Sequence, residues 1–164
     1  MNLREKIISL ADLPGWRSSL REQQKTLVVT NGCFDLLHVG HVTYLEAARN
    51  LGDILLVGLT SDAEVRRLKG PGRPLNPEQD RAAILAALQS VDRVCIFHGE
   101  DARYFLSVAQ PDIYVKGGDY TLDTINQDER RFLEKAGVQI VILPGVAGKS
   151  TTALLERLTG SGGA

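Results

Sequence analysis

Five short apolar runs, each ended by turn residues, constrain this chain more than any other feature. They are TLVVTNG (26–32), DILLVGL (53–59), DRVCIF (92–97), DIYVKG (112–117) and VQIVILP (138–144). Each is too short for a stable helix, and the apolar residues are continuous rather than alternating, which is the pattern of a strand buried on both faces. Between the runs the spacing turns helical. In GHVTYLEAARNL (40–51), Val42, Leu45, Ala48 and Leu51 fall on one face, and Gly52 closes the helix. SDAEVRRLK (61–69) reads as a short helix capped by Ser61 or Asp62, and PEQDRAAILAALQS (77–90) as a strong one with proline at its start. Further helices are expected at 101–109, at 127–136 up to Gly137, and at 150–158, while GPGRPLNP (70–77) is a loop. Buried strands alternating with amphipathic helices predict a three-layer α/β sandwich around a five-stranded parallel sheet, with right-handed crossovers.

A chain of 164 residues suits one such domain. Residues 1–24 read as a helical lead-in on the outside, broken at Pro14-Gly15; residues 25–160 form the domain, and TGSGGA is a frayed tail. With 19 basic against 20 acidic residues the net charge is -1, which argues against a nucleic-acid or membrane-surface binder. Only 5% of residues are aromatic, too few for a platform that stacks single-stranded bases. No run approaches the roughly 20 apolar residues that span a bilayer, and MNLREKIISLADLPGW does not have the pattern of a secretory leader. Cys33 and Cys95 lie in or beside apolar runs, as two reduced thiols of a cytoplasmic protein would.

Parallel sheets bind ligands outside the carboxyl ends of their strands. Four polar clusters follow strands here: Asn31 to His41, Thr60 to Asp62, Lys116 to Asp119, and Gly148 to Thr152. The first, TNGCFDLLHVGH, places His38 just before a helix and His41 in its first turn. A helix N-terminus offers unpaired N–H groups and partial positive charge to an anion. Spacing of three brings both imidazoles to one side, and Gly40 opens the backbone to a phosphate. Two imidazoles aimed at one anion can stabilise a charged transition state. Lys69 lies beside Arg66, Arg67 and Arg73 at a Gly/Pro loop suited to closing over phosphates.

The string GCFDLLHVGH resembles the first signature of the HIGH-motif nucleotidyltransferases, and GKSTT (148–152) resembles their second. With RRLKGPGRP, VDRV and PDIYVKGGDY, the likeness narrows to the adenylyltransferase domain of the bacterial ADP-heptose synthases and covers nearly all of residues 26–158. The resemblance implies a Rossmann-like fold. It also implies transfer of AMP from ATP to D-glycero-β-D-manno-heptose 1-phosphate, with Mg²⁺ accompanying the ATP and pyrophosphate released. It assigns His38, His41 and Lys69 to catalysis, and Gly32, Cys33, Phe34, Gly40, Lys116, Gly117, Asp119, Ser150, Thr151 and Thr152 to the nucleotide. Asp35, Arg73 and Arg81 go to the acceptor side; a surface ion pair of Arg81 with Glu78 or Asp80 is the competing reading. The Cys33 thiol has no base near it in sequence and reads as packing. His98 belongs to the surface or the acceptor side. No protein cage for a metal is expected, and relatives often pair as homodimers.

Three stretches depart from the family pattern. Thr60 stands where an asparagine usually precedes Ser-Asp, GEDARYF replaces an acidic-Thr-Pro stretch, and TLDTINQDERRFLEKAG replaces a more apolar run. The first two bear on the acceptor. The rival readings are a cytidylyltransferase acting on glycerol 3-phosphate and a non-catalytic nucleotide-binding protein. An NAD-binding domain is excluded, because the first strand–helix turn is not G-x-G-x-x-G.

Overall fold

A computed structural model describes residues 2–160. Its strands are β1 (Leu27–Gly32), β2 (Ile54–Thr60), β3 (Arg93–Phe97), β4 (Ile113–Gly118) and β5 (Gln139–Pro144). They form one parallel sheet in the order β3-β2-β1-β4-β5. Its helices are α1 (Leu13–Glu22), α2 (Val39–Arg49), α3 (Asp62–Lys69), α4 (Glu78–Ala86), α5 (Arg103–Ala109), α6 (Gln127–Lys135) and α7 (Thr151–Leu158). The α/β, Rossmann-like expectation therefore holds, strand for strand. Strand order reverses between β1 and β4, which is where such a sheet opens a binding crevice.

Two apolar cores cover the faces. One packs Leu27, Val29, Leu56 and Tyr114 against Leu13, Leu20, Phe105, Leu106 and Leu133, on the side of α1, α5 and α6. The other packs Val28, Leu55, Val57 and Val115 against Leu45, Ala48, Ala82 and Leu85, on the side of α2 and α4. Every second strand residue faces the same core, as the pleat requires. The helices end close to expectation, except that α4 stops at Ala86, short of residue 90.

The lead-in is not on the outside. Pro14 lies in the first turn of α1, where no N–H is needed, so Pro14-Gly15 starts a helix rather than breaking one. Leu13 and Leu20 are buried in the core. Arg17 donates through Nε to the carbonyl of Gln110 (2.9 Å) and pairs with Asp112 (2.8 Å). Ile7 forms a parallel bridge to Val94 beside β3. The segment thus completes one face of the sheet. Of the tail, residues 161–164 lie outside the described residues; Thr159 caps α7.

Candidate active site

β1 runs out at Asn31-Gly32, and the chain turns through Phe34, whose φ of 45° is unusual for a residue with a side chain. The Phe34 ring lies against Gly32, where a Cβ would come within 3.1 Å of it. This turn delivers the chain to α2 with His38 as its extended N-cap and His41 one turn in. The imidazole centroids are 4.0 Å apart. The backbone N–H of His38 donates to His41 Nδ1 at 3.4 Å, which leaves the His41 proton on Nε2. Gly40 is required here: a Cβ would lie 2.9 Å from the His38 ring and 3.2 Å from Lys149 Cβ.

Both rings are neutral donors at pH 7. Burial, then the charges on His38 and Lys69, pulls the His41 pKa down to about 4. Burial, then Lys149, lowers that of His38. Lys69 is the last residue of α3 rather than part of the loop, and it faces the same space as the histidines.

That space is a cavity of about 450 Å³ over the carboxyl ends of β1 and β4. Of the expected site residues it gathers Gly32, Cys33, Phe34, Asp35, His38, Gly40, His41, Lys69, Lys116, Gly117, Asp119, Ser150 and Thr151. Three of the four polar clusters meet there. The fourth does not: Ser61 caps α3 through the N–H of Glu64, and Asp62 pairs with Arg81. The floor under Gly117 is the Tyr44 ring, 2.4 Å from where a Cβ would stand. Tyr44 Oη shares a 2.6 Å hydrogen bond with Thr30 Oγ1 and donates to the carbonyl of Val115 (3.0 Å), tying β1 to β4. At the far wall Ser150 caps α7 by accepting from the N–H of Ala153 (3.0 Å), and Thr151 Oγ1 donates to the carbonyl of Leu36 (3.4 Å).

Several expected roles change. Asp35 is 4% exposed and accepts from the N–H groups of Leu75 (2.9 Å) and Asn76 (3.0 Å) and from Arg73 Nε (2.8 Å). Burial alone would raise its pKa, but these donors outweigh it and hold the carboxyl below its ordinary value. Asp35 and Arg73 Nε therefore hold the 70–77 loop down, while Arg73 Nη2 is buried without a hydrogen-bond partner among the described residues. Arg81 neither reaches the cavity nor pairs on the surface. Fully buried, it donates to the carbonyls of Asn76, Cys33 and Thr60 and to Asp62. Lys116 Nζ donates to the carbonyl of Asn31 (3.0 Å), so it braces the floor, and burial lowers its pKa. Thr152 is exposed on α7 outside the cavity lining, and His98 is exposed away from it. Cys33 is half-buried; Cys95 is buried, which pushes its thiol up to about 12.

Asn31 and Lys149, placed by the sequence only as members of their polar clusters and given no role, also line the cavity, as do Tyr44 and Tyr120, which sequence reasoning missed. The available signals were the place of Asn31 at the end of a strand and of Lys149 within GKSTT. Among the described residues no cluster of three His, Cys, Asp or Glu side chains is placed to hold a metal, and no helix is long and apolar enough to cross a membrane.

Residues 29–157 match the cytidylyltransferase-like family. The chain is 51% identical over 138 residues to the bifunctional protein HldE of Syntrophotalea carbinolica, covering 84% of this chain and 28% of that protein. It is 45% identical over 155 residues to the bifunctional protein HldE of Mesorhizobium japonicum, covering 94% and 31%. The chain thus spans about three-tenths of the length of these relatives. Among solved structures, the lipopolysaccharide core biosynthesis protein of Thermoplasma volcanium superposes with a TM-score of 0.62 at 30% identity, over 74% of this chain and 97% of that one. The chain belongs to the cytidylyltransferase-like family of nucleotidyltransferases.

Proposed function

We propose that this protein transfers AMP from ATP to D-glycero-β-D-manno-heptose 1-phosphate, giving ADP-heptose and pyrophosphate. The observation that carries the reading is the pair of imidazoles, 4.0 Å apart at the start of α2, sharing one cavity with Lys69 and with Ser150 at the start of α7. The heptose acceptor rests on the motif resemblance, and the 51% identity to a bifunctional protein HldE supports it.

In the proposed reaction a phosphate oxygen of the sugar attacks the α-phosphorus of ATP in line, and the bond from that phosphorus to the bridging oxygen of pyrophosphate breaks. No general base is needed, because a sugar phosphate is already an ionised nucleophile near neutral pH. His38 and His41, with the first amides of α2, donate to the crowded equatorial oxygens. Lys69, Ser150 and Thr151 hold the departing pyrophosphate. Mg²⁺ accompanying the ATP would supply neutralisation of phosphate charge and would be held largely by phosphate oxygens and water. Asp119 is the carboxylate on the cavity lining that is not committed to the 70–77 loop.

The family description keeps a cytidylyltransferase reading alive. Pyrophosphate release separates the two, with ATP or CTP offered alongside heptose 1-phosphate or glycerol 3-phosphate. Release with ATP and the heptose phosphate alone is expected. Release only with CTP and glycerol phosphate would keep the chemistry and overturn the substrates.

A further inference from the structure

The ladder between β1 and β4 joins only Val28 to Ile113 and Val29 to Tyr114, although β1 continues to Gly32 and β4 to Gly118. Beyond those pairs the strands diverge, and side chains span the gap. On the α5–α6 face they converge on Asn31. Lys116 Nζ donates to its main-chain oxygen (3.0 Å), and Tyr114 Oη donates to its side-chain Oδ1 (2.6 Å). Behind Tyr114 stands Glu129, whose Oε2 is 3.3 Å from the phenol oxygen while its Oε1 accepts from the N–H of Ala102 (2.9 Å). Tyr114 is 0% exposed and Glu129 6%. The mechanism above uses neither of them.

One proton decides what this arrangement presents. The Tyr114 hydroxyl has a single hydrogen and two acceptors near it, at 2.6 and 3.3 Å. Burial and the Glu129 charge keep the phenol protonated. The shorter separation is that of an O–H···O bond and is too short for a typical N–H···O bond, so the amide oxygen faces Tyr114. Both oxygens of Asn31 are then engaged. Its Nδ2, with two hydrogens, has no partner among the described residues, and Asn31 lines the cavity. Phosphate oxygens are acceptors only, so a fixed N–H donor matches them and a turned amide would repel them.

We propose that Asn31 Nδ2 donates a hydrogen bond to a phosphate oxygen of the bound nucleotide, and that Tyr114 and Glu129 are positioning residues that hold the amide in that orientation. This inference rests on the nucleotide reading of the cavity.

The test uses the full chain labelled with ¹⁵N. The Asn31 side-chain NH₂ signals are identified by their loss in Asn31→Asp. Mg-ATP is then titrated, with its affinity followed separately by calorimetry. The Asn31 signals should move with ATP occupancy in the wild type, and Tyr114→Phe should bind ATP but lose most of that movement. Turnover should fall roughly 100-fold in Asn31→Ala, the scale of one lost transition-state donor, and about 10-fold in Tyr114→Phe. Glu129→Gln keeps an acceptor for Ala102 and should return most of the activity lost in Glu129→Ala. Asn31 signals that stay still at saturating ATP, or turnover within about twofold of wild type in Asn31→Ala, a change below that of one lost donor, would overturn the inference alone. No heat of ATP binding at all would overturn the nucleotide reading, and this inference with it.

Discussion

Replacing Arg81 with methionine tests whether that residue serves the acceptor or the fold. The guanidinium donates to three carbonyls, those of Asn76 (2.9 Å), Cys33 (2.6 Å) and Thr60 (2.9 Å), and to Asp62 (2.6 Å). Its side chain is 0% exposed, whereas that of Asp62 is 29% exposed. Methionine fills much of the stem volume but leaves the three carbonyls without donors. Each costs about 1–1.5 kcal/mol at the lower end of the range for a buried unsatisfied group, and Asp62, part-hydrated, adds less than a buried carboxylate would. The sum is about 4 kcal/mol, inside the range of about 3–5 kcal/mol for breaking a buried charged network. For a domain of this size that lowers Tm by roughly 8–16 °C. Urea unfolding should show a lower midpoint with an unchanged slope, because the same surface is exposed. The KM for the sugar phosphate, measured well below the new Tm, should not change. A stability loss below about 1 kcal/mol together with a sharply raised acceptor KM would refute the reasoning and return Arg81 to the substrate.

Three further outcomes follow from the same geometry. His41 is held at about 4 against an ordinary 6.5, so the native state binds fewer protons there than the unfolded chain; its share of stability is complete above pH 6.5 and is lost as pH falls through about 4, which NMR titration of the ring and unfolding at several pH values would check. Gly117→Ala places a Cβ 2.4 Å from the Tyr44 ring and should cost about 1–3 kcal/mol while weakening ATP binding; calorimetry showing wild-type affinity would contradict the assigned floor. Leu13→Ala should cost about 2–5 kcal/mol, since Leu13 is 0% exposed in the core; a neutral result in thermal melts would return residues 1–24 to the outside of the domain.

The sheet and the histidine pair were readable because each rests on a short-range pattern. Continuous apolar runs such as DILLVGL have few alternatives to a buried strand, and His38-x-Gly40-His41 needs only one helical turn to converge. What escaped depends on contacts far apart in the chain. Arg81 read as an acceptor-side residue or as a surface partner of Glu78 or Asp80, but most of its partners are carbonyls, at 33, 60 and 76, and carbonyls leave no mark on residue type. Asp35 drew attention as a member of the motif, while its real partners are backbone N–H groups some 40 positions away. Pro14-Gly15 read as a break because local propensity cannot tell a helix interior from its first turn. Asn31 entered only as the first residue of a polar cluster, because the contact that singles it out is with Tyr114, 83 residues on.

The short ladder between β1 and β4 also gives the molecule a seam. Strands β1 to β3 form one plate and β4 with β5 another, joined along their lower edge by two residue pairs and along the upper edge by side chains from Tyr44, Tyr114 and Lys116. A nucleotide bound across the upper edge, as proposed above, would act as a strut between the plates. Binding energy then appears as resistance to separating them, growing with ligand concentration as mass action requires. Amide exchange should register that stiffening first at Val115 to Gly117, next to the opening, while Leu55 to Val57 in the middle of the larger plate change little.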